Sequence, residues 1–154
     1  MAGAALAARL PEVTVETAGT LSIDGQPMSM RTRAAFAAVG LEPPVHHSRQ
    51  VTSAHLDAAE LIIGLAPEHV HWVRRHHPTA AGRTATLKRL CRDLPGDDGR
   101  PLADRVAALG LAGVELEDWE EVVDPGGGDT GAFAACAREV VALADHLAQL
   151  LGAA

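Results

Sequence analysis

Residues 60–65 read Glu-Leu-Ile-Ile-Gly-Leu, a continuous apolar run behind one acidic residue. A strand with one wet face alternates apolar and polar side chains. A run this short without alternation predicts a strand covered on both faces, as parallel sheets are by their crossover helices. The rest of the chain offers those helices. Residues 2–10 are Ala-rich and end at Pro11, which cannot continue a helix. Residues 32–39 read as a helix closed by Gly40 ahead of Pro43-Pro44, and residues 67–76 as one with Pro67 in its first turn. Residues 102–109 predict a short helix. In residues 132–151, Phe133, Ala137, Val140, Ala144, Leu147 and Leu151 recur at spacings of four and three, with Arg138, Asp145 and Gln149 on the other face. That stripe predicts a final helix lying on the sheet. Residues 13–17, rich in β-branched side chains, and residues 84–87 predict further strands, the latter entering a helix that ends near Pro95. Residues 20–27, with Asp24-Gly25 and Pro27, and residues 95–100 are turn-rich loops. Strands alternating with helices predict a parallel α/β sheet in one domain spanning residues 1–154.

Composition removes several classes of function. The chain has 154 residues, 47% hydrophobic and 21% charged, enough for one core. A net charge of −7 without a Lys or Arg run argues against a nucleic-acid partner. The longest apolar run, residues 61–66, is too short to span a bilayer, and the Ala-rich start lacks a basic head. The expectation is a cytoplasmic protein with no membrane partner. Two cysteines, Cys91 and Cys136, make no disulfide framework.

Other constellations invite chemistry and are answered more simply. His69, His71, His76 and His77 cluster near one helix, with His46, His47 and His55 before it. Zinc needs three or four converging ligands, and helix positions two apart do not face one another. These histidines read as solvated or capping groups, so neither metal nor cofactor is expected. Gly126-Gly127-Gly128 lacks the Lys-Ser or Lys-Thr of a phosphate loop and reads as a flexible turn. Residues 115–121 (ELEDWEE) read as a solvated acidic face, with Trp119 packed on it or at the rim of a site. Cys136, beside the stripe of the last helix, reads as core, and Cys91 as a small apolar helix residue despite its basic neighbours.

Three segments together resemble a known family. They are Thr17-Ala18-Gly19-Thr20 followed by Gly25 and Pro27; His47-Ser48-Arg49-Gln50-Val51-Thr52 followed by Ala59-Glu60-Leu61-Ile62-Ile63; and Val123-Asp124-Pro125 before Gly127-Gly128 and the final helix. Their order and spacing, along nearly the whole chain, resemble the low-molecular-weight protein tyrosine phosphatases. The resemblance implies a three-layer, flavodoxin-like fold with a four-stranded parallel sheet in the order 2-1-3-4. It also implies a phosphomonoesterase that dephosphorylates protein phosphotyrosine, or a similar small phosphoryl group, through a phosphocysteine. In the family, a Cys-x5-Arg loop after the first strand cradles the phosphate dianion with backbone N–H groups and a helix N-terminus. The same field keeps the Cys a thiolate. The Asp of the Asp-Pro loop protonates the leaving phenolate, a role the resemblance gives to Asp124. It gives Ile23 and Gly126 places in the substrate pocket, where the family often has aromatic or bulky side chains.

Neither cysteine carries the nucleophile motif: Asp97 lies six residues after Cys91, and Ala142 six after Cys136. The first strand and the Cys-x5-Arg loop are therefore expected upstream of Met1. Without an inner strand, its neighbours would stand roughly 10 Å apart. Re-pairing, or a strand borrowed in self-association, would close that gap. Two further readings stand beside the phosphatase. One is a catalytically inactive pseudophosphatase that acts as a binding module through its open sheet. The other is an arsenate reductase, which needs a second cysteine close to Cys91 and finds none in the sequence.

Overall fold

The fold was analysed in a computed structural model that describes residues 1–152. The chain divides into two compact units. Among the described residues, the first comprises 1–50 and 122–148, and the second 51–121 and 149–152.

In the first unit, α1 (Ala2–Arg9) forms where small residues carry little helix penalty and stops before Pro11. It buries Ala5 and Leu6. α2 (Met30–Ala38) begins two residues earlier than the sequence pattern predicts. Ser29 caps it, its hydroxyl accepting from the Thr32 N–H at 3.1 Å. α2 ends at Gly40, whose φ of +70° suits a residue without a Cβ. The last helix, labelled α7 here because four helices of the second unit precede it in the chain, covers Thr130–Leu150. Its buried side are Cys136, Ala137, Val140, Ala144, Leu147 and Ala148, while Phe133 and Leu151 at the ends of the expected stripe are half-buried. Arg9 pairs with Asp145 at 2.5 Å and joins α1 to α7. Gly3 lets α1 approach residues 13–17 closely, since a Cβ there would stand 2.2 Å from the Thr17 methyl.

The expected strand at residues 13–17 is not formed. The segment carries no regular secondary structure and is mostly exposed, and only Val15 is half-buried. β-branched side chains favour an extended backbone, yet a strand needs a neighbour to take its N–H and C=O groups. Here the first pairing comes two residues later, in an isolated parallel bridge between Gly19 and Gln50.

The second unit holds the regular sheet. α3 (Ser53–Ala58) starts in a capping box, Thr52 accepting from the His55 N–H and His55 Nδ1 from the Thr52 N–H. β1 (Ile62–Gly64) pairs in parallel with β2 (Thr84–Thr86), Ile62 opposite Thr84 and Gly64 opposite Thr86. Ile62 and Ile63 are half-buried, so the apolar run is less enclosed than its composition predicts; β2 is the fully buried strand. The crossover is α4 (Pro67–His76), with Pro67 at its first position, followed by a 3-10 turn over Pro78–Arg83. α4 packs against β1 closely enough that a Cβ on Gly64 would meet the His69 Cβ at 3.0 Å. Leu56, Val73 and Ala80 form a core cluster that Val51, Ile62 and Trp72 complete. α5 (Leu87–Asp93) follows β2 directly, capped by Thr86, and α6 (Leu102–Ala107) ends two residues before the expected helix does. Among the described residues, no helix is long and apolar enough to cross a membrane.

Candidate functional site

Two of the three family-like segments are bound into one another. The Gly19 N–H donates to Arg49 O at 2.9 Å, the Gly25 N–H to Ser48 O at 2.8 Å and the Ser48 N–H to Gln26 O at 2.9 Å. Pro27 and His47 form an antiparallel bridge. Gln50 then clamps the loop between them. Its side-chain amide donates to Thr20 O at 3.0 Å and accepts from the Ser22 N–H at 2.9 Å, while its own N–H donates to Asp24 Oδ1 at 2.6 Å. Arg49 donates to Thr17 O at 2.6 Å and pairs with Glu16 at 3.3 Å. Ile23 sits on this clamped loop. Its carbonyl takes the Ser48 hydroxyl, and the residue is 74% exposed. The clamping role of Gln50 has no local signal, because its partners lie 26 to 30 residues away.

The third segment lies in the same unit. Asp124 is exposed on the loop that leads to α7, and its Oδ1 accepts from the Gly126 N–H at 2.8 Å. The Gly128 N–H closes a turn on Pro125 O at 2.9 Å, and Gly127 takes φ +79°. Asp129 Oδ1 accepts from the Ala132 N–H at 2.9 Å and anchors the loop to the first turn of α7. Gly126 leaves the space beside the carboxylate open, since a Cβ there would stand 3.1 Å from Asp124 Oδ1. From the start of α2, Arg31 Nη1 donates to Gly128 O at 3.0 Å.

The cysteines do not join this arrangement as nucleophiles. Cys136 is buried on α7, and burial, with Glu139 beside it, pushes its thiol above the ordinary value. That is the reverse of an activated thiol. Cys91 lies half-buried on α5. His69 and His76, two of the clustered histidines, are engaged locally. His69 Nδ1 accepts from the Leu65 N–H at 3.2 Å, and the His76 ring stacks on Trp72 with centroids 4.5 Å apart. Among the described residues, no three His, Cys, Asp or Glu side chains gather to hold a metal ion.

The acidic stretch at residues 115–121 is only partly the solvated face expected of it. Glu115, Glu117, Asp118 and Glu121 are exposed, but Glu120 is fully buried. It takes Arg89 Nη2 at 2.5 Å, Arg89 Nε at 2.9 Å, the Thr86 hydroxyl at 2.7 Å and the Glu117 N–H at 2.8 Å. Trp119 lies under the guanidinium groups of Arg92 and Arg89, 4.1 and 5.5 Å from its ring centroid, as a packing residue.

The curated and structural neighbours point to the low-molecular-weight protein tyrosine phosphatase family. No family model matches the chain. A protein-arginine-phosphatase of Geobacillus stearothermophilus is 28% identical over 109 residues, which cover 71% of this chain and 73% of that protein. The solved structure of the YwlE arginine phosphatase from Geobacillus stearothermophilus matches 97% of this chain and 82% of its own, at TM-score 0.74 and 26% identity. The tyrosine phosphatase Wzb from Escherichia coli K30, solved with sulphate, shares the fold over 98% of this chain and 87% of its own, at TM-score 0.74 and 18% identity.

Proposed function

We propose that this protein is a phosphomonoesterase that removes a phosphoryl group from phosphotyrosine, or a similar small phosphoryl group, in proteins. The observation that carries the reading is Asp124. It is an exposed carboxyl on a glycine loop at the head of α7, in the same unit as the Gln50-clamped loop. In the reaction a cysteine thiolate attacks phosphorus and the ester P–O bond breaks. Its electrons go to a phenolate oxygen, which takes the Asp124 proton. A phenol has a pKa of about 10, so protonation during departure lowers the barrier. The Asp124 carboxylate then accepts a proton from the water that attacks the phosphocysteine, and the P–S bond returns its electrons to sulfur. Ile23 would wall the substrate ring, and the bare Gly126 would leave the pocket wide beside the carboxylate. A phosphorylated arginine is a second reading of the same site, favoured by the likeness to a protein-arginine-phosphatase. There the P–N bond breaks and the proton goes to the guanidine nitrogen. Thiol chemistry of this kind belongs in a reducing compartment, and we place the protein in the cytoplasm.

The nucleophile is not assigned to Cys91 or Cys136, so the first test is mass spectrometry of the N-terminal peptide of the protein made by its own cell. A start that carries a Cys-x5-Arg loop upstream of Met1 supports catalysis. A start at Met1 overturns it in favour of a binding module. The second test is D124N, which is expected to cut phenyl phosphate hydrolysis by about two to four orders of magnitude. An unchanged rate removes Asp124 from the mechanism.

A further inference from the structure

We propose that Arg31 is a positioning residue, holding the Asp124 loop where its carboxyl can protonate a leaving group; this rests on the reading of Asp124 as the proton donor. The loop needs such a device. Gly126, Gly127 and Gly128 follow one another, and glycine restricts a backbone least. Among the described residues, the other hydrogen bonds of the loop are local. Asp124 binds the Gly126 N–H, Pro125 O the Gly128 N–H, and Asp129 the Ala132 N–H. They shape the turn but tie it only to itself and to its own helix. The bond from Arg31 Nη1 to Gly128 O comes from a residue 97 positions earlier.

Both ends of that tether are well defined. Arg31 is the second residue of α2, just past the Ser29 cap, and α2 is seated by the buried side chains of Ala35 and Phe36. Gly128 has no room to turn into another residue. A Cβ there would lie 2.8 Å from the Ala132 Cβ and 3.0 Å from Pro125 O. Any side chain there would displace the peptide whose carbonyl receives the guanidinium. Arg31 thus acts through the loop backbone rather than on substrate.

The test compares R31M, which keeps the length of the stem but not the donors, and R31K, which keeps one cationic donor, with the unchanged protein. Amide exchange of Gly126 and Gly128 by NMR should quicken about fivefold in R31M and return towards the original rate in R31K. This arm needs no turnover, and unchanged exchange in R31M overturns the tether. The second arm is leaving-group dependence. R31M should lower kcat for phenyl phosphate about fivefold and leave 2,4-dinitrophenyl phosphate, whose phenolate departs without a proton, within twofold. Equal losses on both substrates, or none on either, overturn the positioning role. D124N serves as the reference. Full turnover of phenyl phosphate by D124N sinks the reading of Asp124, and the catalytic role of Arg31 with it, while the exchange comparison still decides the tether.

Discussion

Glu120 shows how one residue can couple a loop to the sheet. Burial by itself would raise its carboxyl pKa, but the Arg89 and Thr86 hydrogen bonds and the Glu117 N–H outweigh that and hold it below the ordinary carboxylate value. The Arg89 guanidinium is correspondingly raised, first by its bond to Glu120. A carboxyl depressed in the folded state binds fewer protons than in the unfolded chain. Its contribution is therefore complete above the unfolded value near pH 4.3 and is lost as the pH falls through the folded value. Acid titration should show stability falling below about pH 4, and E120A should lose that part of the acid dependence. E120A also leaves a buried guanidinium without its main partner, so it should lower unfolding free energy at pH 7 by about 3 kcal/mol or more in denaturant titration. Stability within 1 kcal/mol of the unchanged protein would show that water reaches Arg89 instead.

At the scale of the element, α7 is the best-buried helix of the first unit. Its stripe of Ala137, Val140, Ala144 and Leu147 was legible from a spacing of three and four alone, because helix geometry is local. The same holds for α4, where Pro67 and the polar end of the run set the observed bounds Pro67–His76. Leu147 is fully buried, so L147A should cost about 2–5 kcal/mol through lost transfer energy and the cavity left behind. A loss under 1 kcal/mol would mean that the neighbours collapse into the space. The segment at residues 13–17 is the counter-example. Its side chains favour a strand, but a strand is completed by a neighbour, and sequence alone does not say whether one is present. The ends of α2 and α6 shifted by one or two residues for a milder reason, since the serine cap and the last turn are set by single hydrogen bonds.

At the scale of the molecule, the first unit is built from residues 1–50 and 122–148, and residues 51–121 of the second unit lie between those two pieces in the chain. A unit made of two distant pieces cannot form until the insertion brings them together, which adds loop-closure entropy to its cost. We therefore expect one cooperative unfolding transition for the whole chain. Calorimetry should give one peak whose calorimetric and van't Hoff enthalpies agree, whereas two resolved peaks would show two independent domains.

The sequence by itself determined what depends on near neighbours: most of the helices, the turns at Asp24-Gly25 and Pro125, and the α/β alternation. These follow from propensity, capping and periodicity, all of which act within a few residues. Only the tertiary structure decided the rest. Glu120 was buried rather than solvated because Arg89 meets it from 31 residues away, and Gln50 became a clamp on a loop 26 to 30 residues earlier. Arg31 reached Gly128 across 97 residues. A polar side chain carries the same atoms in every context, and its role is fixed by which distant donor or acceptor folding brings within about 3 Å of it.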